Sequence, residues 1–227
     1  QSDPTDPVEV VAAAWGLKVE KDTVPSRNWN AEWEAGFEPV IIADQVMIRA
    51  HFHPAPGGSI EDILITPKMS FGTGHHATTR LMVEGLLRLD VRDRSVLDFG
   101  TGTGVLAILA AKREAARIHA IDNDPWSMEN ARENLQRNSC ERVLLETGSV
   151  IPSANRYDII LANINRNVLL EQLAAMATAL TPGGRVLISG FLEADTRDLE
   201  EAAHTAGLQR ETAAVHQGWV CLQLSKS

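Results

Sequence analysis

The chain has few cysteines, few aromatic residues and no long apolar run. Its 227 residues include two cysteines, Cys140 and Cys221, which are far apart in the sequence. Two distant thiols form neither a disulfide framework nor the paired spacing of a zinc finger, so the composition favours a reducing, cytoplasmic setting. No uncharged apolar run approaches the ~18 residues that cross a membrane, and no basic start followed by an apolar stretch indicates a secretory leader.

Positive charge is also in deficit. The 21 lysines and arginines are outnumbered by 30 aspartates and glutamates, which gives a formal net charge of −9. A chain this acidic is a poor sequence-independent ligand for nucleic acid, so no direct nucleic-acid binding is expected. The balance suits a basic protein partner, although most such charge is ordinary solvated surface.

The first third of the chain is irregular. Prolines and glycines interrupt residues 1–66 and leave only short segments with a recognisable pattern. We expect a helix over 8–17, a turn of helix over 28–34 and short strands over 37–43, 46–51 and 62–66.

From about residue 75, helical patterns alternate with short apolar runs. This alternation predicts right-handed βαβ crossovers and a parallel sheet with helices on both faces. The last two strands have no helix between them, so they should pair antiparallel. Helices are expected over 76–89, 105–113, 125–138, 167–180 and 194–206, and strands over 95–99, 117–121, 142–146, 157–162, 185–189, 208–215 and 219–224.

A glycine-rich turn between a strand and a helix is the most informative segment. Residues 98–104 are Asp-Phe-Gly-Thr-Gly-Thr-Gly. Glycines let the backbone turn sharply and approach a ligand closely, and the helix that follows offers unpaired N–H groups. A dinucleotide fingerprint would need a small residue where this chain has Val105. The pattern instead resembles the nucleoside loop of S-adenosylmethionine-dependent methyltransferases, in which Asp98 can hold the loop or face the ammonium group.

Two polar positions follow at the ends of later strands. Asp122 ends the next strand, 22 residues after Gly100, where a carboxylate can accept both ribose hydroxyls. Ser149 follows the third strand and either hydrogen-bonds near the adenine amine or is an ordinary turn residue. The glycine loop, the strand before it, the helix after it and the later carboxylate all fit a cofactor site. We therefore favour this interpretation over the alternative that these are ordinary loop residues.

Glycines, threonines and histidines cluster just before the first regular helix. Residues 71–79 are Phe-Gly-Thr-Gly-His-His-Ala-Thr-Thr, and Thr79 lies at the helix start, where an anion such as a methionine carboxylate can bind. We expect residues 67–79 to cover that end of the cofactor. His75 and His76 are adjacent and point in different directions, without a carboxylate at ligand spacing, so no metal is predicted.

Residues 71–79, taken with 98–104, Ile121-Asp122 and Ala162-Asn163-Ile164, resemble the bacterial ribosomal protein L11 methyltransferases. The resemblance covers about residues 28 to 224. It implies a Rossmann-like α/β fold: a mostly parallel seven-stranded sheet with one antiparallel strand and helices on both faces. It further implies methyl transfer from S-adenosylmethionine to lysine ε-amines and the α-amine of this ribosomal protein.

The resemblance also implies a domain division. Residues 1–27 would be a remnant of an amino-terminal substrate-recognition domain, because about 25 residues are fewer than that domain needs. Residues 28–66 would be a linker with small β elements, and 67–227 the catalytic domain that binds S-adenosylmethionine.

The expected site combines the motifs with the resemblance. Asn163 ends the fourth strand, where such a sheet opens its crevice, and it is the expected catalytic residue because its amide can orient an acceptor amine. Ile164, Asn165 and Arg166 replace the prolines and aromatic ring with which other enzymes grip a base. Two alternatives stay open: a methyltransferase acting on a small molecule or nucleic acid, and a non-catalytic cofactor-binding module. Cofactor contacts are expected from Phe71, Gly72, Thr78, Thr79, Asp98, Gly100, Gly102, Gly104, Asp122, Ser149 and Asn163.

Overall fold

The computed structural model describes residues 7–18, 38–66 and 72–226, and the chain divides into two compact units at residues 37 and 38. In the first unit, the described residues contain helix α1, Pro7–Ala14. This confirms the helix expected over 8–17, although it ends earlier. The turn of helix expected over 28–34 lies outside the described residues.

Three short strands open the second unit. They are β1 (Val40–Ile42), β2 (Val46–Arg49) and β3 (Glu61–Leu64), with β1 antiparallel and β3 parallel to β2. The β1–β2 turn uses positive φ values of 52° at Ala43 and 54° at Asp44, the backbone of a tight hairpin. The inward side chains of this small sheet are buried in the same apolar cluster as one face of the large sheet.

The large sheet has seven strands. Their order is β6-β5-β4-β7-β8-β10-β9; the neighbours from β6 to β8 run parallel, and β10 is antiparallel to both β8 and β9. The strands are β4 (Ser95–Phe99), β5 (Arg117–Asp122), β6 (Leu144–Thr147), β7 (Tyr157–Asn163), β8 (Leu180–Leu192), β9 (Leu208–His216) and β10 (Trp219–Lys226).

Helices cover both faces of this sheet because its strands are apolar on both sides. Successive residues point to opposite faces, so Val96 belongs to one buried cluster and Leu97 to the other. Helices α2, α3 and α4 pack on the first face, and α5 and α6 on the second. The fold class predicted from the sequence is confirmed. The helices are α2 (Ala77–Leu87), α3 (Val105–Lys112), α4 (Pro125–Arg137), α5 (Arg166–Ala179) and α6 (Thr196–Thr205).

One strand is longer than the sequence indicates. We expected a loop over 181–184 and a strand over 185–189, but β8 starts at Leu180 and ends at Leu192. Leu180 already pairs with Tyr157, and after a register shift Arg185 pairs with Ile159, so the Thr-Pro-Gly-Gly sequence is an irregularity within a paired strand. No helix within the described ranges is long and apolar enough to cross a membrane.

Candidate functional site

The carboxyl ends of β4, β5 and β7 open into a cavity of about 790 Å³. This edge of a parallel sheet is where ligands bind in folds of this class. The cavity is lined by His76, Thr78, Phe99, Gly100, Gly102, Asp122, Asn123, Ser127, Gly148, Ser149, Val150, Asn163, Ile164, Asn165, Val168, Glu171, Gln172, Gly190 and Trp219.

The glycine loop turns back onto the end of β5. The N–H groups of Gly100 and Thr101 both donate to the carbonyl of Ile121, at 2.8 and 3.0 Å. Gly100 has a φ of 76°, and a Cβ there would lie 2.2 Å from the Cγ2 of Ile164. Both the backbone conformation and the space therefore require glycine at this position.

Asp98 lies beneath the loop. Its Oδ2 accepts hydrogen bonds from the Thr101 hydroxyl at 2.6 Å and from the Ala107 N–H at 3.1 Å. Burial raises the pKa of this carboxyl from 3.8 to about 6, because the charged form loses its hydration. Of the two roles considered for Asp98, the geometry favours holding the loop.

Asp122 faces the cavity from the end of β5. Its Oδ2 accepts from the N–H of Gly102 at 2.8 Å, and its Oδ1 accepts from the N–H of Asp124 at 3.0 Å. A carboxylate has about four acceptor positions, so two are available for a ligand's hydroxyl groups. Ser149, which follows β6, lines the same cavity. The N–H of Gly148, the residue before it, donates to the carbonyl of Asp122 at 2.9 Å.

Asn163 ends β7 and also lines the cavity. Its Oδ1 is buried and has no hydrogen-bond partner among the described residues. Ile164, the residue that follows, is tightly held. Its N–H donates to the carbonyl of Ser189 at 3.1 Å, and a Cβ on Gly190 would lie 2.1 Å from the carbonyl oxygen of Ile164. Asn163 thus lies on a rigid strand end in the lining of a space large enough for a ligand.

The 72–79 segment meets the site at the start of α2. The Nδ1 of His76 accepts from the Thr78 N–H at 3.3 Å and caps the helix. Thr79 is fully buried, and its hydroxyl has no partner in the part of the chain that the structure describes. The carbonyl of Gly72 accepts from the Thr103 hydroxyl at 2.8 Å, which fastens this segment to the glycine loop.

Six of the expected site residues line one cavity, and four others are not part of its lining. Thr78, Gly100, Gly102, Asp122, Ser149 and Asn163 are in the lining, whereas Gly72, Thr79, Asp98 and Gly104 are not. Gly104 instead has a φ of 82° at the start of α3 and packs against α4, with Ala131 3.6 Å from the Cβ position. Phe71 lies outside the described residues.

The structure adds aromatic and acidic groups that the sequence analysis did not place in the site. The rings of His76 and Trp219 meet edge to face, with centroids 4.7 Å apart, and both line the cavity. Glu171 on α5 contributes a carboxylate to the lining. The described residues hold no group of three or more histidines, cysteines and carboxylates arranged for a metal ion.

Comparisons with known proteins agree with this architecture. The family model for ribosomal protein L11 methyltransferase matches residues 8–227. The ribosomal protein L11 methyltransferase of Porphyromonas gingivalis is 41% identical over 204 residues, which are 88% of this chain and 70% of that protein. The corresponding Chlorobaculum tepidum protein is 45% identical over 178 residues, 74% of this chain and 61% of its own length. The chain therefore spans roughly two thirds of these relatives.

Solved structures show the same fold. A ribosomal protein L11 methylase from Lactobacillus delbrueckii subsp. bulgaricus superposes with a TM-score of 0.79 at 27% identity, covering 84% of this chain and all of that one. An RNA methyltransferase from Salinibacter ruber, solved with S-adenosyl-L-homocysteine, shares the fold at a TM-score of 0.52 and 20% identity, covering 63% of this chain and 88% of that one. Since the family model spans almost the whole sequence, the chain belongs to the ribosomal protein L11 methyltransferase family.

Proposed function

We propose that this chain transfers methyl groups from S-adenosylmethionine to amines of ribosomal protein L11, namely lysine ε-amines and the α-amine. The observation that carries the proposal is the cavity itself. It brings Gly100, Gly102 and Asp122 together with Asn163, whose buried Oδ1 has no partner among the described residues. Membership of the family supports the same reaction and substrate.

The residues present fit this cofactor. A cavity of about 790 Å³ lies within the range of small-molecule sites, and Gly100 lets the loop approach without a side chain. The glycine loop would hold the amino-acid part, the free acceptor positions of Asp122 the ribose hydroxyls, and Ser149 the adenine amine. When bound, S-adenosylmethionine supplies a methyl group already activated on a sulfonium, so the protein contributes mainly position and desolvation.

The acceptor amine must be neutral before it can attack. A lysine amine has a reference pKa near 10.4, and a shielded site lowers that pKa by disfavouring the charge. The Oδ1 of Asn163 can accept a hydrogen bond from the neutral amine and thereby direct its lone pair. No strong general base is required in this scheme if solvent takes the released proton.

The nucleic-acid alternative has one feature against it, which is the sequence after Asn163, and one structural feature in its favour, which is Trp219. Asn163 is followed by Ile164 and Asn165 rather than by a ring that would stack on a base. Trp219 nevertheless brings an aromatic ring to the cavity from β10. The experiment therefore offers both acceptors.

Labelled S-adenosylmethionine is incubated with the chain and either purified ribosomal protein L11 or ribosomal RNA. We expect label in the protein, on lysine and amino-terminal nitrogens identified by mass spectrometry. The chain spans roughly two thirds of the length of its relatives, so the protein acceptor is used at a high concentration that does not depend on tight binding. Label in RNA alone would exclude the proposed substrate.

Cofactor binding is tested separately by calorimetry. Asp122→Ala should weaken S-adenosylmethionine binding by about 1–3 kcal/mol, since buried hydroxyl groups lose their acceptor. Asp124→Ala, which removes the cap of α4 two residues later, is the control for local destabilisation. An unchanged affinity in Asp122→Ala would remove this residue from the site.

A further inference from the structure

Three asparagines lie one turn apart along the buried side of α4, the third of them at the C-cap of the helix. Asn130, Asn134 and Asn138 follow each other at a spacing of four residues and so share one helix face. The first two are fully buried and the third is nearly so, and none of them lines the cavity. Amide side chains in such positions need partners, and the partners indicate what each one does.

The side chain of Asn134 connects the glycine loop to the chain just beyond β3. Its Nδ2 donates to the carbonyl of Thr103 at 2.8 Å, and its Oδ1 accepts from the N–H of Thr66 at 2.8 Å. A backbone N–H can only donate and a carbonyl can only accept, so the amide has a single orientation. Neither a carboxylate nor an apolar side chain of the same size can make both contacts.

This orientation leaves a neighbouring group unsatisfied. The Nδ2 of Asn134 also donates to the Oδ1 of Asn130 at 3.2 Å. The Nδ2 of Asn130 then has no partner within the described residues. A buried donor without an acceptor destabilises the folded chain, so stability alone does not account for the pair.

Thr103 is held from two sides. Asn134 binds its carbonyl, and its hydroxyl donates to the carbonyl of Gly72 at 2.8 Å. The preceding residue, Gly102, lines the cavity and donates to Asp122. A movement of the Thr103 carbonyl would therefore shift the part of the loop that faces the cavity.

We infer that Asn134 is a positioning residue for the methyl-donor site: it fixes the glycine loop, through the Thr103 carbonyl, against the chain at Thr66. The inference rests on the proposed function, in which this loop holds S-adenosylmethionine. Asn134 acts through Thr103 and does not line the cavity.

Asn138 provides a matched control on the same face. Its Nδ2 donates to the carbonyl of Leu64 at 2.7 Å, and its Oδ1 accepts from the Leu64 N–H at 3.0 Å. It thus binds the end of β3 as Asn134 binds Thr66, but its side chain makes no hydrogen bond to the glycine loop. Substitutions at the two positions separate loop positioning from general support of β3.

The test compares Asn134→Asp with Asn138→Asp in the full chain, with S-adenosylhomocysteine as the probe. Aspartate at position 134 can still accept a hydrogen bond from the N–H of Thr66, but it has no N–H to donate to the Thr103 carbonyl or to Asn130. We expect calorimetry to show roughly tenfold or greater loss of affinity for Asn134→Asp and less than about threefold for Asn138→Asp, although both lower the thermal midpoint. KM for S-adenosylmethionine should rise in the first variant, with kcat changed much less.

Equal losses of affinity in the two variants would overturn the inference and leave Asn134 a purely structural residue. If the aspartate variants do not fold, Asn134→Ser and Asn138→Ser, which introduce no charge, decide the question by the same comparison. If the parent chain does not bind the probe, the proposed function fails and the inference fails with it. Binding by the parent with no selective loss in the Asn134 variants counts against this inference alone.

Discussion

Asp98 and Asn163 are both polar side chains near the ends of neighbouring strands, but they are satisfied differently. Asp98 accepts hydrogen bonds from Thr101 in its own loop and from Ala107 in α3, whereas the Oδ1 of Asn163 has no partner among the described residues. A buried acceptor without a donor costs about 1–3 kcal/mol, so its retention beside a cavity points to a ligand donor. The hydrogen bonds of Asp98 favour loop support for this residue, and acceptor orientation is the role that we propose for Asn163.

Removing the Asn163 amide should affect turnover more than folding. Asn163→Ala cannot accept the amine's hydrogen bond, and we expect the single-turnover rate to fall by tens-fold or more because misorientation is costly in a displacement. Asn163→Asp keeps the acceptor but favours the ammonium form, so its rate profile should move to higher pH. Single-turnover methyl transfer against pH, with saturating cofactor, measures both effects. A parent-like rate in Asn163→Ala would make Asn163 only a strand-end residue.

The Asp98 carboxyl predicts an unusual pH dependence of stability. Its pKa is raised to about 6 in the folded chain against 3.8 for the ordinary group, which corresponds to on the order of 3 kcal/mol. A raised carboxyl pKa destabilises the fold above pH ~6, and this cost disappears as pH falls from about 6 towards 3.8. Both hydrogen bonds reach Oδ2, so an asparagine Oδ1 can accept both.

Asp98→Asn should therefore raise the thermal midpoint at pH 7.5 by up to roughly 6–12 °C, and the gain should shrink at pH 5. Scanning fluorimetry at the two pH values measures this difference. Asp124→Asn is the control, because hydrogen bonds from Ser127 hold the pKa of that half-buried carboxyl below its usual value. A gain that is the same at both pH values would show that charge burial is not its cause.

Several of the site residues that the sequence predicts lie at the carboxyl end of a strand. Gly100, Asp122 and Asn163 each follow an apolar run, and parallel strands bring such ends to one edge of the sheet. Trp219 and Asn134 were missed because their roles depend on contacts distant in sequence. Trp219 reaches the cavity only because β10 inserts between β8 and β9. Its ring partner His76 lies in the motif at residues 71–79, but nothing in the sequence pairs it with Trp219.

Among the helices and strands, positions were predictable and ends were less so. Apolar periodicity fixed β4 at both ends and located every described helix, because strands buried on two faces differ clearly from amphipathic helices. The ends of β8 depend instead on what lies beside it. Leu180 pairs with β7, and from Arg185 onward the chain pairs with β7 and β10, so residues 181–184 fall inside β8. Gly183, with a φ of 73°, still makes the local turn that this sequence favours.

Within β8, Gly190 is the position where the packing of two strand ends is tightest. Gly190→Ala would place a Cβ 2.1 Å from the Ile164 carbonyl at a φ of 102°. Gly207→Ala is the matched control, since its φ is also positive, at 83°, but nothing lies within 4 Å. We expect the control to lose about 1–2 kcal/mol of unfolding free energy from backbone strain, and Gly190→Ala to lose clearly more.

Urea unfolding of both variants measures the difference, and methyl transfer should fall selectively in Gly190→Ala because Ile164 adjoins Asn163. Equal losses of stability would mean that Ile164 moves aside freely. In that case the strand end that carries Asn163 is not held by this contact.

For the molecule as a whole, the net charge of −9 has a kinetic consequence for a basic protein substrate. Opposite net charges on two proteins raise the rate at which they associate. Salt weakens this attraction at separations beyond the Debye length, which is ~10 Å at 0.1 M. Under the proposed function, S-adenosylhomocysteine binds inside the cavity through hydrogen bonds and close contacts, which depend less on salt. We therefore expect the two partners to respond differently to ionic strength.

Raising salt from about 50 to about 300 mM should lower kcat/KM for ribosomal protein L11 several-fold, mainly through KM, because charge complementarity acts on association. The calorimetric affinity for S-adenosylhomocysteine should change much less over this range. A short peptide with blocked termini, whose only charge is its single acceptor lysine, is the control substrate, because it has little charge for the protein's field to attract. If its kcat/KM falls as steeply as that of the ribosomal protein, salt is acting on the catalytic site, and long-range attraction does not contribute to substrate capture.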